Sequence, residues 1–216
     1  VYRARDGDVF SRESLSAIAG LTHDLENWQD LNPDSLPQQI NGGTVDLGEL
    51  ANIRRVQSLT NVRVQRSDAD TLRSERLIPN PLPESDAALA QVRERALQED
   101  DFKLLFFSAD GLYAGVMIQT FFGAEPVAGF TPQIDNASIS LDSSFSAFDD
   151  PDTFTLSFDE EAQVQDIPFQ TVDMFAYSNF FNALQAAYSP YEQALDFYPV
   201  GNPPMMEFVY RTLQQM

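Results

Sequence analysis

Val1-Tyr2-Arg3-Ala4-Arg5-Asp6-Gly7-Asp8-Val9-Phe10-Ser11-Arg12-Glu13-Ser14-Leu15 runs from a strand through a turn into a helix, and this order decides the fold. Residues 1–10 read as a short strand ending in the turn Arg5-Asp6-Gly7-Asp8, where Gly7 supplies the flexible position. Ser11 is a good helix N-cap, and Glu13 falls in the first turn, where the helix dipole favours an acid. Leu15, Ile18, Leu21, Leu25 and Trp28 then recur at helical spacing, an apolar stripe suited to packing on a sheet.

Outward from this stretch, strands and helices keep alternating. Residues 29–50 are rich in Asn, Asp, Pro and Gly and read as a loop ending near Gly42-Gly43. Residues 53–66 read as one strand, with Arg54, Arg55, Arg63 and Arg66 interleaved among apolar residues, so that one face is buried and one wet. Pro79, Pro81 and Pro83 precede a second helix whose buried side carries Ala88, Leu89, Val92, Ala96 and Leu97. Residues 102–108 and 112–122 flank Ala109-Asp110-Gly111, a strand-pair signal because Asp-Gly suits a tight primed turn. Residues 173–188 form a third helix and 194–200 a last strand. Gly201-Asn202-Pro203-Pro204 then turns the chain into a terminal helix, 204–216, with Pro204 suited to its first turn. This order predicts a two-layer α+β unit with helices on one face of the sheet, Leu15, Ile18, Leu89 and Val92 lying beneath them. Residues 124–170 differ in character, with Pro126, Pro132, Pro151 and Pro168 and many acids, and read as an inserted lobe of short strands and loops.

Composition narrows the function. At 216 residues, 43% hydrophobic and 12% aromatic, the chain is folded rather than disordered. No apolar run approaches the roughly 18–20 residues needed to cross a bilayer. The absence of cysteine removes disulfides, thiolate zinc sites and cysteine nucleophiles. The net charge of −20 is uneven, since residues 104–216 hold 15 acids against the single base Arg211. Such a surface repels phosphate backbones and anionic headgroups, which excludes nucleic acid as a partner.

Four stretches carry a resemblance: Arg5-Asp6-Gly7-Asp8-Val9-Phe10 with Ser14-Leu15; Val56-Gln57-Ser58-Leu59-Thr60-Asn61; Ser108-Ala109-Asp110-Gly111; and Tyr198-Pro199-Val200-Gly201-Asn202-Pro203-Pro204. Together they resemble the first extracytoplasmic loop of resistance–nodulation–division (RND) superfamily exporters, in the group related to the mycobacterial membrane protein large transporters. The resemblance covers residues 1–123 and, more loosely, 173–216. It implies a porter-type fold (ferredoxin-like, split β-α-β) over 1–123 and 171–216, with 124–170 inserted. It also implies an inner-membrane protein whose membrane helices and second periplasmic loop lie outside this chain, this part facing the periplasm. The whole protein would use proton-motive force to move hydrophobic or amphiphilic molecules. The family's proton-relay carboxylates belong to its membrane helices, so none carries over. The chain also begins inside a strand and ends inside a helix pattern, which leads us to expect a piece of something larger, with flanking apolar segments.

No catalytic constellation emerges. His23 is the sole histidine and lies off the apolar stripe, and no Gly-x-Ser-x-Gly elbow occurs. Asp6 and Asp8 lack the twelve-position spacing of an EF-hand and read as turn formers. Asp149, Asp150, Asp152, Asp159, Glu160 and Glu161 make a closer-set acidic cluster, read as an exposed loop ahead of a calcium site. We therefore expect no enzyme, no metal and no cofactor. Aromatics are the notable load: Phe169, Phe175, Tyr177, Phe180, Phe181, Tyr188, Tyr191, Phe197 and Tyr198 crowd together. In the third helix, Met174, Tyr177, Phe181 and Leu184 share one side while Phe175 and Phe180 lie off it. A helix apolar on more than one side meets protein or ligand on both. Phe175, Tyr177, Phe180, Phe181 and Tyr188 are accordingly candidates for contact with lipid-like cargo or with another subunit of a homo-oligomer. The alternative reading is a freestanding periplasmic binding or scaffold module with an aromatic cleft.

Overall fold

The computed structural model describes residues 1–68, 71–99, 102–103, 105–122 and 173–214. The lobe read at 124–170, with its acidic cluster, and Phe169 lie outside the described residues. The two ends of the chain, residues 1–122 and 172–216, build one compact unit.

Strand β1, Tyr2–Ala4, ends in a turn held by its own carboxylates. Asp6 Oδ1 accepts from the Asp8 N–H at 3.2 Å, Asp8 Oδ1 accepts from the Phe10 N–H at 3.0 Å, and Gly7 sits at φ +87°. Helix α1, Arg12–Glu26, starts at the expected cap, with Ser11 Oγ accepting from the Ser14 N–H at 3.0 Å. Leu15, Ile18, Leu21 and Leu25 are buried along one face. Burying side chains of this kind contributes about 1.5–3 kcal/mol each. Trp28 falls just past the helix, in a 3-10 turn, and is half-buried.

The segment read as a plain loop carries a two-stranded ribbon, β2 (Gln39–Ile40) and β3 (Gly43–Thr44). Its turn residues Asn41 and Gly42 both have positive φ, 56° and 81°. That is the Asn-Gly pattern of a primed hairpin turn.

Two corrections follow. The strand expected over 53–66 is two strands, β4 (Ile53–Gln57) and β5 (Arg63–Asp68), which belong to different sheets. Asn61 breaks the run: its Oδ1 accepts from the Ser58 N–H at 2.8 Å and its Nδ2 donates to the Val56 carbonyl at 2.9 Å, closing a turn between them. Strand β5 then pairs with β6, Thr71–Arg76. Helix α2, Asp86–Gln98, is capped by Ser85 and buries Leu89, Val92 and Ala96, as its spacing predicts.

The second correction concerns the hairpin. The chain does turn at Asp110-Gly111, where Asp110 Oδ1 accepts from the Ser108 hydroxyl at 2.5 Å and from the Leu112 N–H at 3.0 Å. The two arms pair antiparallel only beside the turn, where Phe107 bridges Ala114, the Ser108 N–H donates to the Tyr113 carbonyl at 2.8 Å and the Gly115 N–H donates to the Phe106 carbonyl at 2.8 Å. In the first arm the Phe106 N–H closes on the Phe102 carbonyl at 2.9 Å, a helical turn incompatible with extension. The second arm divides into β7 (Tyr113–Ala114), which pairs with β1, and β8 (Met117–Thr120), which pairs with β4.

Helix α3, Met174–Tyr188, is capped by Asp173 Oδ1, which accepts from the Phe175 N–H at 3.1 Å. Strand β9, Leu195–Phe197, pairs with β1, and α4, Asn202–Gln214, packs on α3. The strands fall into small antiparallel sheets, β7-β1-β9, β2-β3, β4-β8 and β5-β6, in place of one continuous sheet. The class is α+β. Leu15, Ile18, Leu89 and Val92 share one core with Tyr2, Val9, Phe10 and Leu59. Among the described residues no helix is long and apolar enough to cross a membrane.

Candidate functional site

Spacing along α3 builds the site. Tyr177, Phe180, Phe181, Leu184 and Tyr188 recur three or four residues apart and so line one flank of the helix. That flank borders a cavity of about 330 Å³, at the lower end of the roughly 300–1,000 Å³ common for small-molecule sites. Helix α1 contributes Leu21 and Leu25 to the opposite wall. Strand β8 presents Ile118 and Thr120 on one face while Met117 and Gln119 point away, the two-residue alternation of a strand. Phe197, Val200 and the turn Gly201-Asn202-Pro203-Pro204 complete the rim. Gly201 has φ +112°, a conformation that favours glycine and lets the chain swing from β9 into α4.

Ring contacts fix the walls. Phe122 lies 4.7 Å from Tyr177 and meets Phe180 edge-on at 5.2 Å, and Tyr188 lies 4.5 Å from Phe197. Aromatic pairs of this kind contribute about 0.5–1.5 kcal/mol beyond the area they bury. Burial raises the Tyr188 phenol above its ordinary pKa, opposed by its hydrogen bond with Gln185. Among the described residues no side chain lining the cavity is an Asp, Glu, His, Lys or Arg.

Of the five residues singled out in the sequence, the fold brings Tyr177, Phe180, Phe181 and Tyr188 together at this cavity. Phe175 lies apart. It is half exposed and meets Tyr210 of α4 edge-on at 5.2 Å. The sequence reading missed Leu21, Leu25, Ile118 and the Pro199–Pro204 rim. The first three look like ordinary core positions, and only the long-range packing of α3 leaves a gap beside them.

The other candidate groups sit elsewhere. His23 is exposed, its Nδ1 3.1 Å from Asn27 Nδ2. Asp8 faces Arg93 at 3.5 Å across the first turn. Among the described residues no three His, Cys, Asp or Glu side chains converge as a metal site would require.

Helix α4 packs mainly on α3. It turns Glu207 inward, where Arg211 Nη2 donates to its Oε1 at 2.6 Å, while Met205, Phe208 and Leu213 face outward. No family model matches the chain, and no curated protein or solved structure matches it.

Proposed function

We propose that this chain binds an apolar or amphiphilic small molecule in the cavity between α1, α3 and β8, as the extracytoplasmic part of an RND-type exporter. The observation that carries the reading is the cavity wall itself: among the described residues it presents six aromatic rings, aliphatic side chains and no acidic or basic side chain. Transfer of apolar surface into such a wall is favourable in proportion to the area removed from water, and nothing in the wall is set up for bond chemistry. The role is reception or guidance of cargo, with no catalytic step in this part.

The exporter assignment rests on the four sequence stretches and on the strand-and-turn order they share with the family. In that setting the porter-type arrangement, the proton-driven partner helices, the second periplasmic loop and the periplasmic orientation all follow as parts of one proposal. The freestanding binding module remains the second reading, favoured by the cavity lying wholly within one unit of the chain.

Two measurements test the proposal. Titration with an uncharged naphthylamine dye yields saturable fluorescence enhancement, one site per chain, which Leu184→Trp abolishes by filling the cavity. Enhancement that survives this substitution unchanged places the dye elsewhere and removes the proposal's support. For the exporter setting, the reading frame on both sides encodes apolar segments of about 20 residues. A frame lacking them leaves only the freestanding module.

A further inference from the structure

We infer that the ligand of this cavity carries an uncharged, hydrogen-bonding head on an apolar chain, a fatty alcohol or amide in chemical class and neither a carboxylate nor a quaternary ammonium. This rests on the ligand-binding reading above and adds the sign and type of the head group.

The argument is one of charge complementarity. A buried ion needs a counter-charge or converging dipoles, and without them its lost hydration is not recovered. Among the described residues the lining has no acidic or basic side chain to offer an anion or a cation. Beyond the wall, residues 1–122 and 173–216 hold 23 acids against 13 bases, an excess that repels a carboxylate further. A cation gains from that long-range field, but no side chain of the described lining carries the counter-charge that would hold it once desolvated.

Polar groups suited to a neutral head are present. Tyr177, Thr120 and Asn202 line the cavity, and their side chains hold no hydrogen bond among the described residues. Each can exchange a hydrogen bond with an alcohol or amide at little desolvation cost.

The size is consistent. A volume of about 330 Å³ corresponds to about eleven waters at about 30 Å³ each, and hence to a ligand of about ten to fifteen heavy atoms.

Calorimetric titration of the intact chain with 1-decanol, decanoate and decyltrimethylammonium separates the possibilities, since the three share a chain and differ in head charge. It is run in about 0.5 M salt, which screens the long-range field and leaves the local preference of the wall. The expected result is decanol bound about tenfold or more tighter than either ion. Tyr177→Phe should weaken decanol several-fold, and unchanged decanol affinity in that variant counts against the head-group inference. Decanoate or decyltrimethylammonium binding as tightly as decanol overturns the head-group inference and leaves the cavity reading standing. Failure of all three ligands and of the dye overturns both.

Discussion

The phenol of Tyr191 donates a 2.6 Å hydrogen bond to the Asp24 carboxylate, joining the turn after α3 to the last turn of α1 across 167 residues of sequence. Burial, and then the Asp24 charge, hold the Tyr191 phenol well above its ordinary pKa. The approach depends on Gly20, one helical turn earlier on the same face. A Cβ there would stand 2.9 Å from Tyr191 Cε1 and Oη. This contact ties the two ends of the chain together beside the cavity and lets each prediction below be read against a known anchor.

Tyr191→Phe removes one hydrogen bond to a charged acceptor and is expected to cost about 1–2 kcal/mol. Gly20→Ala gains about 1 kcal/mol of helix propensity but forces the ring away, so a net loss of about 1 kcal/mol is expected. Urea unfolding of both single variants and the double variant should reveal coupling between the two sites. Strict additivity would mean the glycine is not there for the tyrosine.

Phe180 is 1% exposed and Phe208 is 70% exposed, although both are phenylalanines on amphipathic helices. Phe180→Ala should cost about 3–5 kcal/mol, because it opens a void in the core. Phe208→Ala should stay within about 0.5 kcal/mol. Equal losses in chemical denaturation would contradict the placement of α4.

Glu207 is buried and its recorded partner is Arg211. Arg211→Ala strands that carboxylate, and a loss of about 1–3 kcal/mol is expected. Replacing Glu207 with Leu in the same chain should recover most of it, because a well-packed apolar residue matches a buried ion pair. A double variant no better than Arg211→Ala would remove this explanation.

Partial burial, and secondarily the neighbouring Asp46 charge, raise the Glu49 carboxyl above its ordinary pKa, with a hydrogen bond from Asn179 opposing them. A raised folded-state value means a stabilising contribution that is present below the ordinary carboxyl range and lost as the pH rises through the raised value. Glu49→Gln should therefore increase Tm at pH about 7, with the increase disappearing near pH about 4. An increase that is independent of pH would point to packing.

Legibility differed by element, for physical reasons. Helices α1, α2 and α3 could be read because Ser11, Ser85 and Asp173 cap them locally and their apolar spacing is regular. Strand pairing could not. The Asn61 side chain that divides β4 from β5 is a short-range device whose effect depends on which carbonyl it reaches. The Asn41-Gly42 turn was visible in principle but lay in a segment whose composition reads as loop. Its consequence, Asn41 Nδ2 donating to Asn182 and Gln185 of α3 at 3.1 and 2.7 Å, spans more than a hundred residues. Four of the five aromatic candidates stand together at the cavity because they share one flank of α3. Phe175 does not, since its own ring partner, Tyr210, comes from the terminal helix.

The central claim is that the space between α1, α3 and β8 receives an apolar ligand. Methyl-resolved NMR during titration with 1-decanol tests it most directly. The account predicts saturable shifts at the methyls of Leu21, Leu25, Ile118 and Leu184, with Ile78 and Leu89 in the main core unmoved. Shifts that are absent, that never saturate, or that concentrate on the exposed face of α4 would contradict it.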